Sequence, residues 1–393
     1  MRTVMMVFIL LSGKLSRARC PSWCLCAFLV AGGIPCSAGE YRVVDLGTFV
    51  GGLHTYDYDV NDNGQVTGTF YSADGYLRAF LWQAGSPLQD LGTLGGTSGA
   101  ATSISSSGRI AGYSNTALGD TRAFLWQSGS AMQDLGTLGG RWSWAYGVNA
   151  SGQVVGKSVI GPLNGEGGQS HAFLWQPGAP MQDLGTLGGA YSYAYAINDS
   201  GQVVGDSFRL DGEQHAFLWQ QGSPMQDLGT LGGRVSSAKG INSAGWVVGA
   251  DWLANDRYRH AFLWRAGAPM QDLNTLGGAE SAAADINDWG QVVGWSTTAS
   301  GARRAFLWQG GVMQNLGTLG GDYSEAFAIN NGGLVVGYST DAAGHGHAVL
   351  WTPIPEPTSF LGLASGLGGL AILRRRRRWR GVLYLLAGDI VRG

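Results

Sequence analysis

Beyond residue 36 the sequence has no cysteine, and it carries little charge of either sign. All four cysteines, Cys20, Cys24, Cys26 and Cys36, fall within its first 36 positions. The body can form no disulfide, so packing and hydrogen bonding must stabilise it. Cys24-Leu25-Cys26 resembles a metal-ligand pair, but no histidine or further cysteine accompanies it, and no metal is expected there. Charged residues make up only 13% of the 393-residue chain, and they are unevenly placed. Residues 39–353 hold 14 basic and 25 acidic side chains, a net of −11, while residues 354–393 hold seven arginines. An acidic body repels phosphate backbones, which excludes nucleic acid as a partner. Long apolar runs are also missing. Residues 23–34 and 360–373 are apolar, but shorter than the roughly 20 residues that span a bilayer comfortably.

Glycine and aromatics fill the space left by charge. There are 66 glycines, well above a usual share of about 7%. Glycine costs about 1 kcal/mol in a helix interior, so this composition disfavours helices. The 15 Trp, 14 Tyr and 13 Phe give the chain enough apolar surface to bury that disorder is excluded as well. Many short strands joined by glycine turns is the class that fits.

The two ends read as targeting segments. Arg17 and Arg19 precede the apolar stretch 23–34, and Cys36-Ser37-Ala38 follows it. That is a signal peptide over residues 1–38 with a small-residue cleavage site. At the other end, Pro355-Glu356-Pro357 is followed by the short apolar span and then by Arg374, Arg375, Arg376, Arg377 and Arg378. The arginine block would hold its end of the span on the cytoplasmic side. These three features in this order resemble the PEP-CTERM sorting signal of Gram-negative bacteria. The resemblance implies a tail, residues 354–393, that an exosortase recognises and cuts, and a chain that sits transiently in the inner membrane before reaching the cell surface, the outer envelope or the medium. The chain departs from that pattern by continuing past the arginines through residues 379–393.

Between the ends the sequence repeats itself. One copy reads HAFLWQPGAPMQDLGTLGGAYSYAYAINDSGQVVGDS over residues 171–207. Ala-Phe-Leu-Trp begins at Ala79, Ala123, Ala172, Ala216, Ala261 and Ala305, and returns as Ala348-Val349-Leu350-Trp351. Asp-Leu-Gly-Thr begins at Asp45, Asp90, Asp134, Asp183 and Asp227, with variants at Asp272 and Asn315. Both elements occur seven times. Each copy offers four strand-like pieces: in the fourth, residues 191–198, 202–207, 215–219 and 225–231, with Asp199-Ser200-Gly201 as a hairpin corner. Four short strands in about 45 residues is the size of a propeller blade. The array enters with a fourth strand, residues 41–48, and leaves with a third, residues 348–351. The two fragments complete one blade. The expected fold is therefore all-β, a seven-bladed β-propeller over residues 39–353 closed by its N-terminal strand. The repeat also resembles the HAF family of bacterial extracellular repeats, with His171, His215, His260 and His347 at the first motif position. That resemblance implies extracellular placement and no particular activity.

The repeated residues read as structural. The Phe and Trp of each copy are expected to fill the space between blades. The Asp and Thr should fix turns, and the His should bond at a blade edge. An active site should break the symmetry, and no Ser-His-Asp or paired-Glu arrangement does. The strand after each Gly-Gly does vary: Trp142, Trp144 and Tyr146 in the third copy, Tyr191, Tyr193 and Tyr195 in the fourth, Val235, Ser237 and Lys239 in the fifth. Trp142, Trp144, Tyr191 and Tyr193 are the candidate ligand-binding residues, as a stacking surface for sugar rings; packing between blades is the alternative. Asp59, Asn61 and Asn63 match the first half of a calcium loop, but its twelfth position is Phe70, so no cofactor is expected. The chain is thus expected to be an exported, non-enzymatic surface or matrix protein, with extracellular polysaccharide and an exosortase as partners. Two rivals remain: a polysaccharide-degrading enzyme using Glu280 or Glu325, and a protein-binding adhesin or scaffold.

Overall fold

The structure, a computed structural model, describes residues 40–46, 58–161, 168–254 and 257–354. The signal segment and the sorting tail beyond Ile354, with Pro355, Glu356, Pro357 and Arg374 through Arg378, lie outside the described residues. Every described element is a β-strand. The strands make seven four-stranded antiparallel units, the fourth and fifth linked by a single parallel pairing of Gln214 with Val235.

The fourth unit shows how the sequence builds each one. Its strands are Gly188–Ile197, Val203–Arg209, Gln214–Trp219 and Gln226–Asp227, each paired with the next. The first corner is the expected hairpin, with Gly201 at φ +76° and its N–H bonded to Asn198 O. The fourth strand is shorter than residues 225–231, because the Asp-Leu-Gly-Thr element leaves the sheet early. Asp227 Oδ1 accepts the Gly229 N–H, and Thr230 Oγ1 accepts that of Gly232. Asp and Thr thus fix this turn as their chemistry predicts. The Gly-Gly pair opens the next first strand instead of closing the fourth, since Gly232 pairs with Leu253.

Gly205 is required by close approach. A Cβ there would fall inside van der Waals contact of the Tyr193 carbonyl on the paired first strand, and Gly112, Gly156, Gly249, Gly294 and Gly337 stand in the same relation to their own units. Apolar clusters straddle unit boundaries. Val155, Ala172 and Leu174 of the third unit pack on Ala194, Ile197, Val203, Phe217 and Trp219 of the fourth. Burying one Phe or Leu contributes about 1.5–3 kcal/mol, so these boundaries hold much of the apolar stabilisation.

The array closes on itself in two ways. Strand Tyr41–Asp45 pairs with Gly346–Pro353, completing the last unit as the sequence predicts. An asparagine belt closes the inner edge. In six of the seven units an asparagine follows the first strand, and its Nδ2 donates to the main-chain carbonyl of its counterpart in the next unit. Asn149 reaches Asn198 O, Asn198 reaches Asn242 O, Asn242 reaches Asn287 O and Asn287 reaches Asn330 O, all at 3.0–3.2 Å. Asn330 then donates to Asn61 O of the first unit, and Asn61 to Ser105 O. The second unit has Ser105 in place of asparagine; there Arg109 and Ser107 bridge to Ala150 O instead.

The belt gives the calcium-like stretch another role. Asn61 Oδ1 accepts the Asn63 and Gln65 N–H groups, while Asp59 accepts those of Val60 and Ile104. Asn63 Nδ2 donates to Ser106 O. Asn61 Oδ1 thus shapes its own hairpin and Asp59 holds Val60 and the next unit's Ile104, so these oxygens serve the main chain and do not converge on a cation.

Two substitutions test these devices. Asn242→Ala leaves a buried carbonyl and two turn N–H groups short of partners and should cost about 1–3 kcal/mol in denaturant unfolding. Gly205→Ala forces the first two strands apart and should cost about 3 kcal/mol in the same measurement.

Candidate functional site

A site must break the near-symmetry of seven similar units. Five residues before each belt position the first strands carry Ala100, Trp144, Tyr193, Ser237, Ala282 and Glu325. Their register partners on the second strands are Tyr113, Lys157, Asp206, Ala250, Trp295 and Tyr338. Two residues further along the first strands come Thr102, Tyr146, Tyr195, Lys239, Ala284 and Phe327. These columns form one level around the inner strands, and the chemistry that differs between units is gathered on it.

The densest part joins the third, fourth and fifth units. Asp206 is only 1% exposed, and Ser237 Oγ donates to its Oδ2 at 2.6 Å. Its Oδ1 makes no hydrogen bond of normal geometry, and Tyr195 and Gln214 beside the carboxyl favour its charged form. The Lys239 ammonium lies 3.3 Å from the Tyr195 ring centroid, and Lys157 lies 4.7 Å from Trp144 and 5.1 Å from Tyr193. Burial pushes the Asp206 carboxyl up, against the Lys239 charge that favours ionisation. Burial likewise brings Lys239 down to about 8, against the pull of Asp206, and Arg259 lowers it further. Burial raises the Tyr195 phenol, which the Asp206 charge pushes the same way. This is an acid–base cluster with three shifted groups in contact, a feature that gathers at functional sites.

A second part joins the sixth and seventh units. Arg303 lies 3.6 Å over Trp295 and 5.4 Å over Tyr323. Arg259 lies 4.8 Å over the same Trp295. Glu325 is held on both oxygens, by Arg303 at 2.9 Å and by the Tyr323 hydroxyl at 2.9 Å.

The predicted residues fare unevenly. Lys157 brings Trp144 and Tyr193 together. Trp142, 41% exposed, meets Arg141 at 5.8 Å. Tyr191 packs edge-on against Phe208 at 5.7 Å and lines a groove of about 510 Å³ with Arg209 and Leu210. Glu280 and Glu325 share no hydrogen-bonded partner, and Glu325 is already tied to an arginine. Sequence reasoning missed Lys157 and Asp206 and gave Lys239 no role. A signal existed: the body has only two lysines, and both occupy variable columns. The repeated histidines behave as edge bonders. His171, His215 and His260 bond Asp183, Asp227 and Asp272 at 2.8 Å, and His347 bonds Asp45 of the closing strand at 3.0 Å. Among the described residues no cluster of His, Cys, Asp and Glu is suited to a metal.

No family model and no curated protein matches the chain. Solved structures do. The chain matches the β-propeller domain of the Trilobed protease from Pyrococcus furiosus with a TM-score of 0.53 at 10% identity, covering 76% of this chain and 95% of that one. It matches the acylaminoacyl peptidase of Pyrococcus horikoshii with a TM-score of 0.51 at 12% identity, covering 79% of this chain and 54% of that one. This chain therefore spans about half the length of that peptidase. At such identities the likeness is one of fold, and the fold is all-β and propeller-like. The P. furiosus domain has an open velcro topology, whereas here Tyr41–Asp45 closes the last unit. Both matched propellers belong to peptidases. That finding corrects the expectation of a non-enzymatic, polysaccharide-binding matrix protein, for which the four aromatics also fail to form a single cluster of ring contacts. Among the described residues no helix is long and apolar enough to cross a membrane.

Another symmetry break gives a pH test. Asp251 is 0% exposed and takes the place of Ser114, Ser158, Ser207, Ser296 and Ser339, each of which accepts the same N–H. Asp251 Oδ2 accepts the Leu231 N–H, and burial pushes the carboxyl up to about 7. The folded state thus holds a proton that the unfolded state releases, so stability falls as pH rises from about 4 to 7. Burial raises Asp285 to about 7 as well, so Asp251→Ser should reduce that slope and stabilise the neutral protein by about 0.5–2 kcal/mol, measured by denaturant unfolding across that range.

Proposed function

We propose that this chain is an exported seven-bladed β-propeller enzyme that degrades an extracellular polysaccharide. In this proposal the N-terminal signal segment and exosortase processing at Pro355-Glu356-Pro357 deliver it outside the cell. One observation carries the enzymatic reading: between the fourth and fifth units Lys239 lies on the Tyr195 ring beside the buried Asp206, and burial brings its ammonium down to about 8. A lysine held at about 8 is partly neutral near neutral pH and can exchange a proton with a bound substrate. Asp206 is placed to stabilise the ammonium it becomes, and the raised Tyr195 phenol keeps its own proton to give. A second reading has its own support. The propeller matched in the P. horikoshii peptidase is part of a longer chain, so this one could equally serve as the scaffold of a separate catalytic partner.

The test uses the exported chain with polysaccharide from the producing organism, following both co-sedimentation and release of reducing ends. Release that rises with pH up to about 8 and falls about 100-fold or more in Lys239→Arg is expected. Arginine keeps the charge over Tyr195 but does not give up its proton. Full activity in that variant would remove Lys239 from the chemistry. Binding without release would leave the scaffold reading.

A further inference from the structure

The level of the ring that holds Lys239 is cationic in a body whose net charge is −11. Lys157 and Lys239 stand in its columns, Arg259 and Arg303 reach it from the third strands, and each is laid on an aromatic face: Trp144 and Tyr193, Tyr195, Trp295, and Trp295 with Tyr323. All four remain partly exposed. Arg303 is paired with Glu325, and the Asp206 charge acts on both Lys239 and Lys157, but Asp206 is buried and neither Lys157 nor Arg259 has a carboxylate within ion-pair distance among the described residues. A cation held on a ring without a carboxylate partner is positioned for a charge brought by something else. The surrounding acidic surface makes the attraction local to this level.

The same groups limit the chemistry. Hydrolysis of a glycosidic bond ordinarily takes two carboxyl groups flanking it. Here Asp206 is buried beneath Ser237, and both oxygens of Glu325 are occupied. What remains is a base beside a phenol, with cations around them.

From this we infer that the substrate is an acidic polysaccharide with carboxylates on its sugar rings, cleaved by β-elimination. The inference rests on the enzymatic reading above and names its substrate class and reaction. Lys157 and Arg259 bind the ring carboxylate and spread its charge, which makes the neighbouring C5–H acidic. Neutral Lys239 takes that proton. The C–H electron pair becomes the C4=C5 double bond, and the C4–O bond breaks with its electrons on oxygen. Tyr195 gives its proton to that oxygen, and the proton on Lys239 returns to Tyr195 through solvent. No water is consumed. One fragment carries an unsaturated ring and the other a new reducing end.

The experiment incubates the exported chain separately with a polyuronate and with a neutral glucan. It reads reducing ends, the ultraviolet absorbance of unsaturated rings, and substrate affinity. Unsaturated ends from the polyuronate alone are expected. Lys157→Met and Arg259→Met should each weaken polyuronate affinity by about tenfold, and added salt should weaken it in the parent. Their thermal unfolding, followed in parallel, should stay near that of the parent. Reducing ends without the absorbance would mean hydrolysis, overturning the elimination while the enzymatic reading survives. Cleavage of the glucan instead would overturn both the acidic specificity and the elimination, while the enzymatic reading survives. Cleavage of neither, with intact folding, would overturn the inference together with the reading it rests on.

Discussion

Everything in this molecule depends on a side-chain amide reaching one unit further around the ring. A lone four-stranded unit is small, and its apolar faces are half-exposed until a neighbour covers them. The belt sets the spacing at which that covering happens. Asn198 shows how one residue does two tasks: its Oδ1 receives the N–H groups of Ser200 and Gln202, shaping its own hairpin, while its Nδ2 fixes the next unit at Asn242 O. Turn geometry and inter-unit geometry are thereby coupled in a single planar group. The bonds are buried, where an unmade one is more costly than a made one is favourable. A unit cannot drift outward without orphaning both ends. The last link, Asn330 to Asn61, spans 269 residues and forms only when the whole array has folded. Pairing of Tyr41–Asp45 with the last unit adds a second closure at the outer edge, and His347 with Asp45 pins it there.

Much of this was legible. Seven copies, four strands in each and the split last unit follow from spacing, because a strand and a tight turn are local decisions. The roles of Asp227 and Thr230 were legible for the same reason: each bonds a main-chain group two residues away. The belt was not. Its bonds join residues 43–49 apart, or 269 apart at the closing link, and within one copy each asparagine looks like an ordinary hairpin residue. That is why Asn61 and Asn63 suggested a cation loop. The strand boundaries shifted where side chains took over from the ladder. Asp227 captures the turn N–H and so ends its strand after two residues.

The acid–base cluster was illegible for a related reason. Lys157, Asp206 and Lys239 come from three copies, and nothing in a copy taken alone unites them. Aromatic side chains drew attention because they are large and clustered in sequence. Tyr191 and Tyr193 are two residues apart yet meet different surroundings: Phe208 at the edge of the unit for one, Lys157 of the preceding unit for the other. Columns of a repeat become a surface only after the repeat is wound, and the winding decides which columns meet.

Symmetry also explains how such a cluster can be tolerated. Burying a lysine and an aspartate costs desolvation that their mutual attraction offsets only in part. Seven similar boundaries share the apolar stabilisation of the ring, so one boundary can carry that cost while the others hold the frame. The cluster sits where two inner strands, Gly188–Ile197 and Gly232–Ile241, are each fixed by the belt a few residues further on. Lys239 has little freedom to leave Tyr195, because Asn242 anchors its strand and Gly249 brings the second strand against it. A group with a shifted proton affinity is useful only if it stays where the shift arises. The belt that closes the ring is therefore also what keeps the ammonium, the phenol and the carboxylate in one place.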